Sequence, residues 1–502
     1  MCGINSTTEV PIHPVPKVRF LQEMDSSGQE KSSEGSGTKM RRIVQVVHDF
    51  LPGYPHGTEN YTYHLSKELQ KISKVYIFCR ERKDSFRKDF SKDELFDGLL
   101  VRRLYFNLPL IFDASYRNSF VDEEFERFLD EIKPDIVHFQ HLMGLSASML
   151  QIVKQRRIPA ILTLHDFWFL CPQVQLLTND NQVCSGPDSK DKCANCEKIF
   201  YIYGKLQSFH GRIGKFLKYP PEPLKTAKKL LPWKMKTTLK EKFLKTQPPI
   251  SSISLNMRAN MIAKRSSFLR DMLDKVDVIL APSRFLREKF IHYGIAKDRI
   301  FHLGHGIDHR PLANFSKEPS NKFRFGFLGG VSEHKGIRVL IRAFNKIKRD
   351  NASLSIFGPY DQSYLSKLRR ELKTDSRVTF YGLFDNREIS SVFSKIDVLV
   401  FPSIWYENQP IAILEALLAK IPIITSNMGG MAELVQDRVT GLLFELGNPE
   451  DLSEKMVSLI DNPQLLRKLS EAPRQVKTIE KNAQELNEIY DSLLEKSGDP
   501  LG

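Results

Sequence analysis

Glu407 and Glu415 stand at the two ends of the run ENQPIAILE, where an apolar stretch, IDVLVFP (396–402), gives way to a helical pattern. Pro410 suits the first position of that helix, because the N–H it lacks would have no partner there. The amides near Ile411 and Ala412 are then free at a helix N-terminus, whose partial positive charge favours an anion such as phosphate. One carboxylate just before that end, and one about a turn and a half inside it, could grip hydroxyl groups on either side of a bound phosphate. Taken alone, the pair also reads as two helix-capping, solvent-facing glutamates.

Two more loops carry phosphate chemistry. FLGGVSEHKG (327–336) is an apolar run ending in Gly329 and Gly330, with Lys335 at the start of the next helix. Glycine lets a ligand approach the backbone, and the lysine can neutralise a diphosphate as a point charge. MGGMAE (428–433) repeats the run–Gly–Gly–helix pattern. His165-Asp166 ends the run PAILTL (159–164), as a structural hydrogen-bonder or as a polar group at the mouth of a cleft. Cys171, Cys184, Cys193 and Cys196 follow with the spacing C-x12-C-x8-C-x2-C. Four thiolates could hold a structural zinc with no open position; the alternative is a group of reduced, partly buried thiols.

The elements that must position these residues alternate in two halves. IVQVV (43–47), KVYIFC (74–79), DIVHFQ (135–140), PAILTL (159–164), VDVILA (276–281) and RIFHL (299–303) are unbroken apolar runs, typical of parallel strands buried on both faces. NYTYHLSKELQKI (60–72) and FVDEEFERFLDEI (120–132) are helical between them. FRFGFLG (323–329), SLSIFG (353–358), RVTFYG (377–382), IDVLVFP (396–402) and IPIIT (421–425) repeat the scheme, with helices from about Lys335, Gln362, Arg387 and Pro410. The pattern predicts an α/β fold of two Rossmann-like, doubly wound domains facing a central cleft, since ligands bind beyond the carboxyl ends of such strands. The expected divisions are a flexible Ser/Gly-rich tail over 1–39, a first domain over 40–310, a second over 311–475, and a last helix within 476–502.

The formal net charge of +14 is concentrated. Residues 198–275 hold 18 Lys and Arg against four acids, which equals the surplus of the whole 502-residue chain. The stretch reads as a basic helical insertion outside the core, with Phe, Leu, Tyr and Trp233 between the charges. A segment lying on an anionic membrane leaflet is the favoured use, at roughly 1 kcal/mol per Lys or Arg near the surface. A solvated hairpin is the alternative, and nucleic acid is disfavoured because no base-reading module accompanies the charge. No window of 18 apolar residues suggests a membrane span, and the N-terminal run lacks a secretory apolar core, so the expected location is cytoplasmic, peripheral on the inner face of the membrane.

The run FPSIWYENQPIAILEALLAKIPIITSNMGGMAELVQDRVTGLLF, with HKGIRVLIRAF, VTFYGLF, VDVILAPSRFLREKF and HGID, resembles retaining glycosyltransferases of the GT-B fold, family 4. HDFLPGYPHGTENYTYHLSKEL resembles that family's Gly-Gly-x-Glu loop, and LTLHDFWFLCP its strand ending in His; the resemblance spans about residues 41–475 outside the basic stretch. It implies a retaining hexosyltransferase that moves a sugar from a nucleotide-diphosphate donor to an acceptor, with no cofactor required for catalysis, and a last helix (476–502) that packs back toward the first domain. The basic insertion, in the half that would hold the acceptor, points to a glycan or lipid-linked acceptor at the membrane. The resemblance places Glu407 on the donor sugar, Glu415 on the ribose, and Lys335 with the amides of Asn408, Gln409 and Ile411 on the diphosphate, beside the Gly329–Gly330 turn. It also places Gly57 against the donor phosphates and His165 across the cleft, making Glu407, His165 and Lys335 the catalytic set. Gly330 stands where the family often has Arg, His56 replaces a loop glycine, and His305-Gly306 replaces the commoner Asn-Gly. The alternatives are a nucleotide-sugar epimerase or hydrolase on the same fold, or a non-catalytic sugar-nucleotide binder.

Overall fold

The computed structural model describes residues 40–54, 56–82, 89–107, 112–196, 254–372 and 375–498. The first half builds one eight-stranded sheet from β1 (Arg42–Val47), β2 (Lys74–Arg82), β3 (Phe90–Phe96), β4 (Leu99–Phe106), β5 (Ile136–Phe139), β6 (Ala160–Thr163), β7 (Val278–Ala281) and β8 (Ile300–His302). The strand order is β3-β4-β2-β1-β5-β6-β7-β8, and every pairing is parallel except β3 with β4. Along β1, Ile43 and Val47 join a core with Leu65, Leu69, Leu486 and Tyr490, while Val44 and Val46 join one with Phe125, Phe128 and Phe139. Both faces are covered, which is why the run has no polar alternation. The helix Ile479–Gly498 supplies Leu486 and Tyr490, so the end of the chain packs on the first sheet.

The second half builds a six-stranded parallel sheet in the order β11-β10-β9-β12-β13-β14. Its strands are β9 (Phe323–Leu328), β10 (Ala352–Phe357), β11 (Val378–Gly382), β12 (Val398–Phe401), β13 (Ile423–Ser426) and β14 (Gly441–Phe444). The helix Ile337–Lys346 covers one face by burying Ile337, Leu340, Ile341 and Phe344 against Phe325 and Phe327. In each sheet the strand order reverses beside the first strand of that half, which is where a crevice opens at the carboxyl ends.

Three elements differ from the sequence reading. β3 and β4 form a hairpin through Asp97 (φ 47°) and Gly98 (φ 79°), two left-handed residues suited to a tight Asp-Gly turn. β14, the short run GLLF, closes the edge of the second sheet. The third difference is a correction. The helix Leu255–Leu273, inside the expected insertion, is core: Ala259, Ile262, Leu269, Met272 and Leu273 are buried, and the guanidinium of Arg265 donates to the Trp168 carbonyl. Its apolar stripe runs beneath the charges that marked the stretch as an insertion. Residues 197–253, with most of the basic surplus, lie outside the described residues.

Candidate active site

The second sheet carries the donor-side groups. After β9 the chain passes through Gly329 (φ 144°) and Gly330 into a single 3-10 turn, Glu333–Lys335, and turns again at Gly336 (φ 72°). A Cβ on Gly336 would fall 1.8 Å from the Pro402 carbonyl oxygen, so the turn lies hard against the end of β12. That contact brings Lys335 beside the loop 403–407. Lys335 Nζ lies 2.5 Å from Glu407 Oε1, which also accepts from Trp405 Nε1 at 2.8 Å and Ser403 Oγ at 3.0 Å. The ammonium sits 5.3 Å from the Trp405 ring centre and 5.7 Å from that of Phe401, a cation–π box around the ion pair.

The helix Ile411–Leu418 starts after Pro410, and no side chain caps it. Its first amides are therefore available to an anion. Glu415 is 8% exposed, facing the interior rather than solvent, and burial pushes its carboxyl up to about 7 against a hydrogen bond from Asn386. Asn386 belongs to a short turn, Asn386–Glu388, held by Asp385; nothing in its own sequence context marks it.

The first sheet faces these groups through direct bonds. Asn408 Nδ2 donates to the His165 carbonyl at 2.7 Å, and the His305 amide donates to Gln409 Oε1 at 2.5 Å. Glu433, from the MGGMAE turn, accepts from the amides of Arg284 (2.9 Å) and Phe285, so a carboxylate of one half caps a helix of the other, Arg284–His292. A Cβ on Gly57, at the start of the helix Gly57–Leu69, would lie 3.9 Å from Ile411 Cγ1. Contacts thus link Lys335 with Glu407, Asn408 with His165, Gln409 with His305 and Gly57 with Ile411, with Gly329 and Gly330 on the loop before Lys335, while Glu415, further along the Ile411 helix, meets Asn386.

The first half brings a second polar group to its strand ends. His165 Nε2 is 2.9 Å from Gln140 Oε1, so the ring N–H donates there; burial, then the neighbouring His305, pushes its pKa well below the usual range. Its ring stacks 4.9 Å from that of His305, which Tyr61 covers at 4.0 Å. His48 Nε2 lies 3.2 Å from the buried carboxylate of Glu59, which burial pushes up to about 7. His141, 4.4 Å from the His48 ring, bonds Asp166 at 2.7 Å; burial opposes its charge, but Asp166, Glu59 and Asp49 together raise its pKa. The ligand atoms of His48, Asp49 and Glu59 lie within 4.8 Å of one another, yet Arg80 already stands 3.2 Å from Asp49, so the cluster has a cation of its own. The signals for His48, Asp49, His141 and Asp166 were present, as histidines and acids at the ends of apolar runs, whereas Glu59 follows none.

The four cysteines lie on the loop after β6 and on the short helix Lys190–Cys196, away from the Lys335–Glu407 pair but near its neighbour Tyr406, whose phenol is raised first by burial and then by Cys184.

Comparison with known sequences agrees with this arrangement. The profile of "Glycosyl transferases group 1" matches residues 310–476, and that of "Glycosyltransferase Family 4" matches residues 55–190. The chain belongs to the family 4 glycosyltransferases. A glycosyltransferase of Methanocaldococcus jannaschii is 36% identical over 129 residues, 25% of this chain and 33% of that protein. The GDP-mannose-dependent alpha-(1-6)-phosphatidylinositol monomannoside mannosyltransferase of Mycobacterium tuberculosis is 28% identical over 220 residues, 40% of this chain and 57% of that one. The chain spans from a third to about half of the length of the first curated relatives it matches. The Anabaena HepE structure in complex with UDP and glucose superimposes with a TM-score of 0.57, covering 90% of this glycosyltransferase and all of that chain at 16% identity. That likeness establishes the GT-B fold.

Proposed function

We propose that this glycosyltransferase moves a hexose from a nucleoside-diphosphate sugar to a hydroxyl of a glycan or lipid-linked acceptor, with retention at the anomeric carbon. The carrying observation is the Lys335–Glu407 pair beside the uncapped helix that begins at Ile411. Lys335 and the amides of Asn408, Gln409 and Ile411 hold the diphosphate, and Glu407 and Glu415 take the sugar and ribose hydroxyls. The bond from the anomeric carbon to the phosphate oxygen breaks, and the departing charge develops on the diphosphate, where lysine and amide dipoles are already aimed. The acceptor oxygen attacks from the same face, and its proton passes to the released phosphate oxygen. His165, neutral and fixed through Gln140, lines the acceptor side, with Gly57 allowing the first half's backbone to close on the phosphates. HepE was solved with UDP-glucose, which supports the donor class.

The acceptor reading rests on the charge in 198–253 and on the mycobacterial relative, whose acceptor is a phosphatidylinositol mannoside. A peripheral position on the inner membrane face follows from the same charge. No helix among the described residues is long and apolar enough to cross a membrane.

The test is nucleotide release from a panel of nucleotide sugars, with and without membrane extract. Wild type releases nucleotide in step with glycosylated product, and Glu407→Gln does not. Release without product in the presence of extract would instead make the protein a hydrolase. Sedimentation with anionic vesicles, lost on removing residues 198–253, checks the location; equal sedimentation of both forms rejects it.

A further inference from the structure

We propose that Cys171, Cys184, Cys193 and Cys196 bind one zinc ion, which staples the loop after β6 to the helix Lys190–Cys196. The four side chains come from three separate stretches of chain, yet they line a single cavity of about 250 Å³. Cys193 and Cys196 are one turn apart on that helix and share its face. Cys171 and Cys184 flank the antiparallel bridge between Leu177 and Val183, which folds the loop back on itself.

Donors reach three of the sulfurs, while the Cys184 and Cys196 thiols themselves donate to the Gly186 and Leu177 carbonyls at 3.4 and 3.7 Å. The amides of Gln173 and Leu176 bond to Cys171. Gln173 Nε2, 2.9 Å away, and the Asn179 amide bond to Cys196, and Lys192 bonds to Cys184. N–H groups aimed at sulfur favour the thiolate. Four sulfurs lining one cavity, two of them one turn apart on a helix and three met by N–H donors, form a ligand set for a soft divalent cation. Zinc supplies the charge and matches four sulfur ligands in tetrahedral geometry, displacing the thiol protons as it binds. The sulfurs line the cavity without converging on one point, so zinc binding requires their side chains to turn about χ1, a rotation that swings a sulfur by about 3 Å.

The staple holds up the wall beside the donor loop. Ser185 O, next to Cys184, accepts from Lys289 Nζ at 3.2 Å and Tyr293 Oη at 2.8 Å. Lys289 in turn lies 5.2 Å from the Tyr406 ring centre, and Tyr406 packs on Phe285 and Phe167 immediately before Glu407. On its other side the helix is tied to Leu255–Leu273 by Arg258 bonding the Ala194 carbonyl at 3.3 Å. The ion therefore fixes both the helix Lys190–Cys196 and the neighbour of the donor-side glutamate.

Metal analysis of the full chain, purified under reducing conditions without added metal, tests this. The expected result is close to one zinc per chain, with four thiols that react with a thiol reagent only after zinc is removed. Cys193→Ser lowers the zinc content at least tenfold, and Cys79→Ala, altering a buried thiol on β2, keeps it. Replacing zinc by cobalt gives thiolate-to-cobalt charge-transfer absorption in wild type. Should Cys193→Ser fail to fold, chelation of wild type serves instead, lowering the melting temperature reversibly on zinc re-addition. Reduced, folded protein without zinc, zinc unchanged in a folded Cys193→Ser variant, or a native disulfide among the four would overturn the proposal.

Discussion

Lys335 Nζ and Glu407 Oε1 are 2.5 Å apart, although 72 residues separate them in the chain. Glu407 is buried and Lys335 largely so, so each charge is compensated chiefly by the other. The two groups assigned to different parts of the donor, diphosphate and sugar, are therefore one unit, and removing either leaves the other mispaired.

Non-additive loss follows. Lys335→Met and Glu407→Gln should each lower kcat/KM by about 100-fold, and the double variant should lose little more than the worse single, because residues acting as a unit do not add. Rates of nucleotide release for the three variants measure the coupling. Strictly additive losses would mean that lysine and glutamate act separately.

The two halves are joined at His165 through its backbone, which lets positioning be separated from chemistry. Asn408→Ala removes the bond to the His165 carbonyl, costing about 1 kcal/mol of stability. His165→Ala leaves that carbonyl in place and removes the ring that Gln140 orients. Both variants should lose about tenfold or more in kcat/KM. Only Asn408→Ala should also raise the KM for the donor, because only it loosens the closure that brings Gly57 over the Ile411 helix. Steady-state kinetics at varied donor concentration distinguish the two.

The strands at whose ends the site residues sit were legible because burial on both faces writes unbroken apolar runs: β1, β5, β6, β7, β9, β12 and β13 fall where those runs are. Glu407, Glu415 and Lys335 were legible because a proline-led helix and a Gly-Gly turn are local signals. Exposed edges were harder. β3, reading FSKDELF, is polar at four of seven positions, and only its Asp-Gly turn marks the hairpin. The helix Leu255–Leu273 was read as insertion because its charge hid a buried stripe, one member of which is Arg265 itself. Asn386, Glu433 and the His48–Glu59 contact depend on packing between distant segments, which no local pattern encodes.

Glu415 makes stability depend on pH. Its carboxyl is raised to about 7 in the folded chain by burial, from 4.5 in the reference state. Between those values the folded state holds a proton that the unfolded state has released, so this group's contribution to stability falls as pH rises from about 4.5 to 7 and is level above. Glu415→Gln removes the ionisation and keeps the shape. Relative to wild type, the variant should gain on the order of 3 kcal/mol between pH 4.5 and 7.5, with the other buried groups cancelling in the difference. Paired denaturant titrations across that range give the answer; a pH-independent difference would mean that Glu415 ionises normally.

Two glycines of the 327–336 turn should respond oppositely to substitution, although they are six residues apart. A Cβ on Gly330 meets nothing within 4 Å, and its φ is not left-handed, so a long side chain can be placed there without disturbing the fold. Gly330→Arg restores the cation that the resemblance leads one to expect beside the diphosphate. The donor KM should fall several-fold, and the gain should shrink as salt rises, since the contact is electrostatic and solvent-facing. Gly336→Ala is the contrast. Its φ of 72° and the 1.8 Å approach to the Pro402 carbonyl oxygen leave no room for a methyl group, so it should cost more than about 2 kcal/mol and displace Lys335 from Glu407. Melting temperatures and donor KM values for both variants decide the matter: a Gly330→Arg protein that folds normally but binds donor no better would place the diphosphate elsewhere than over this turn.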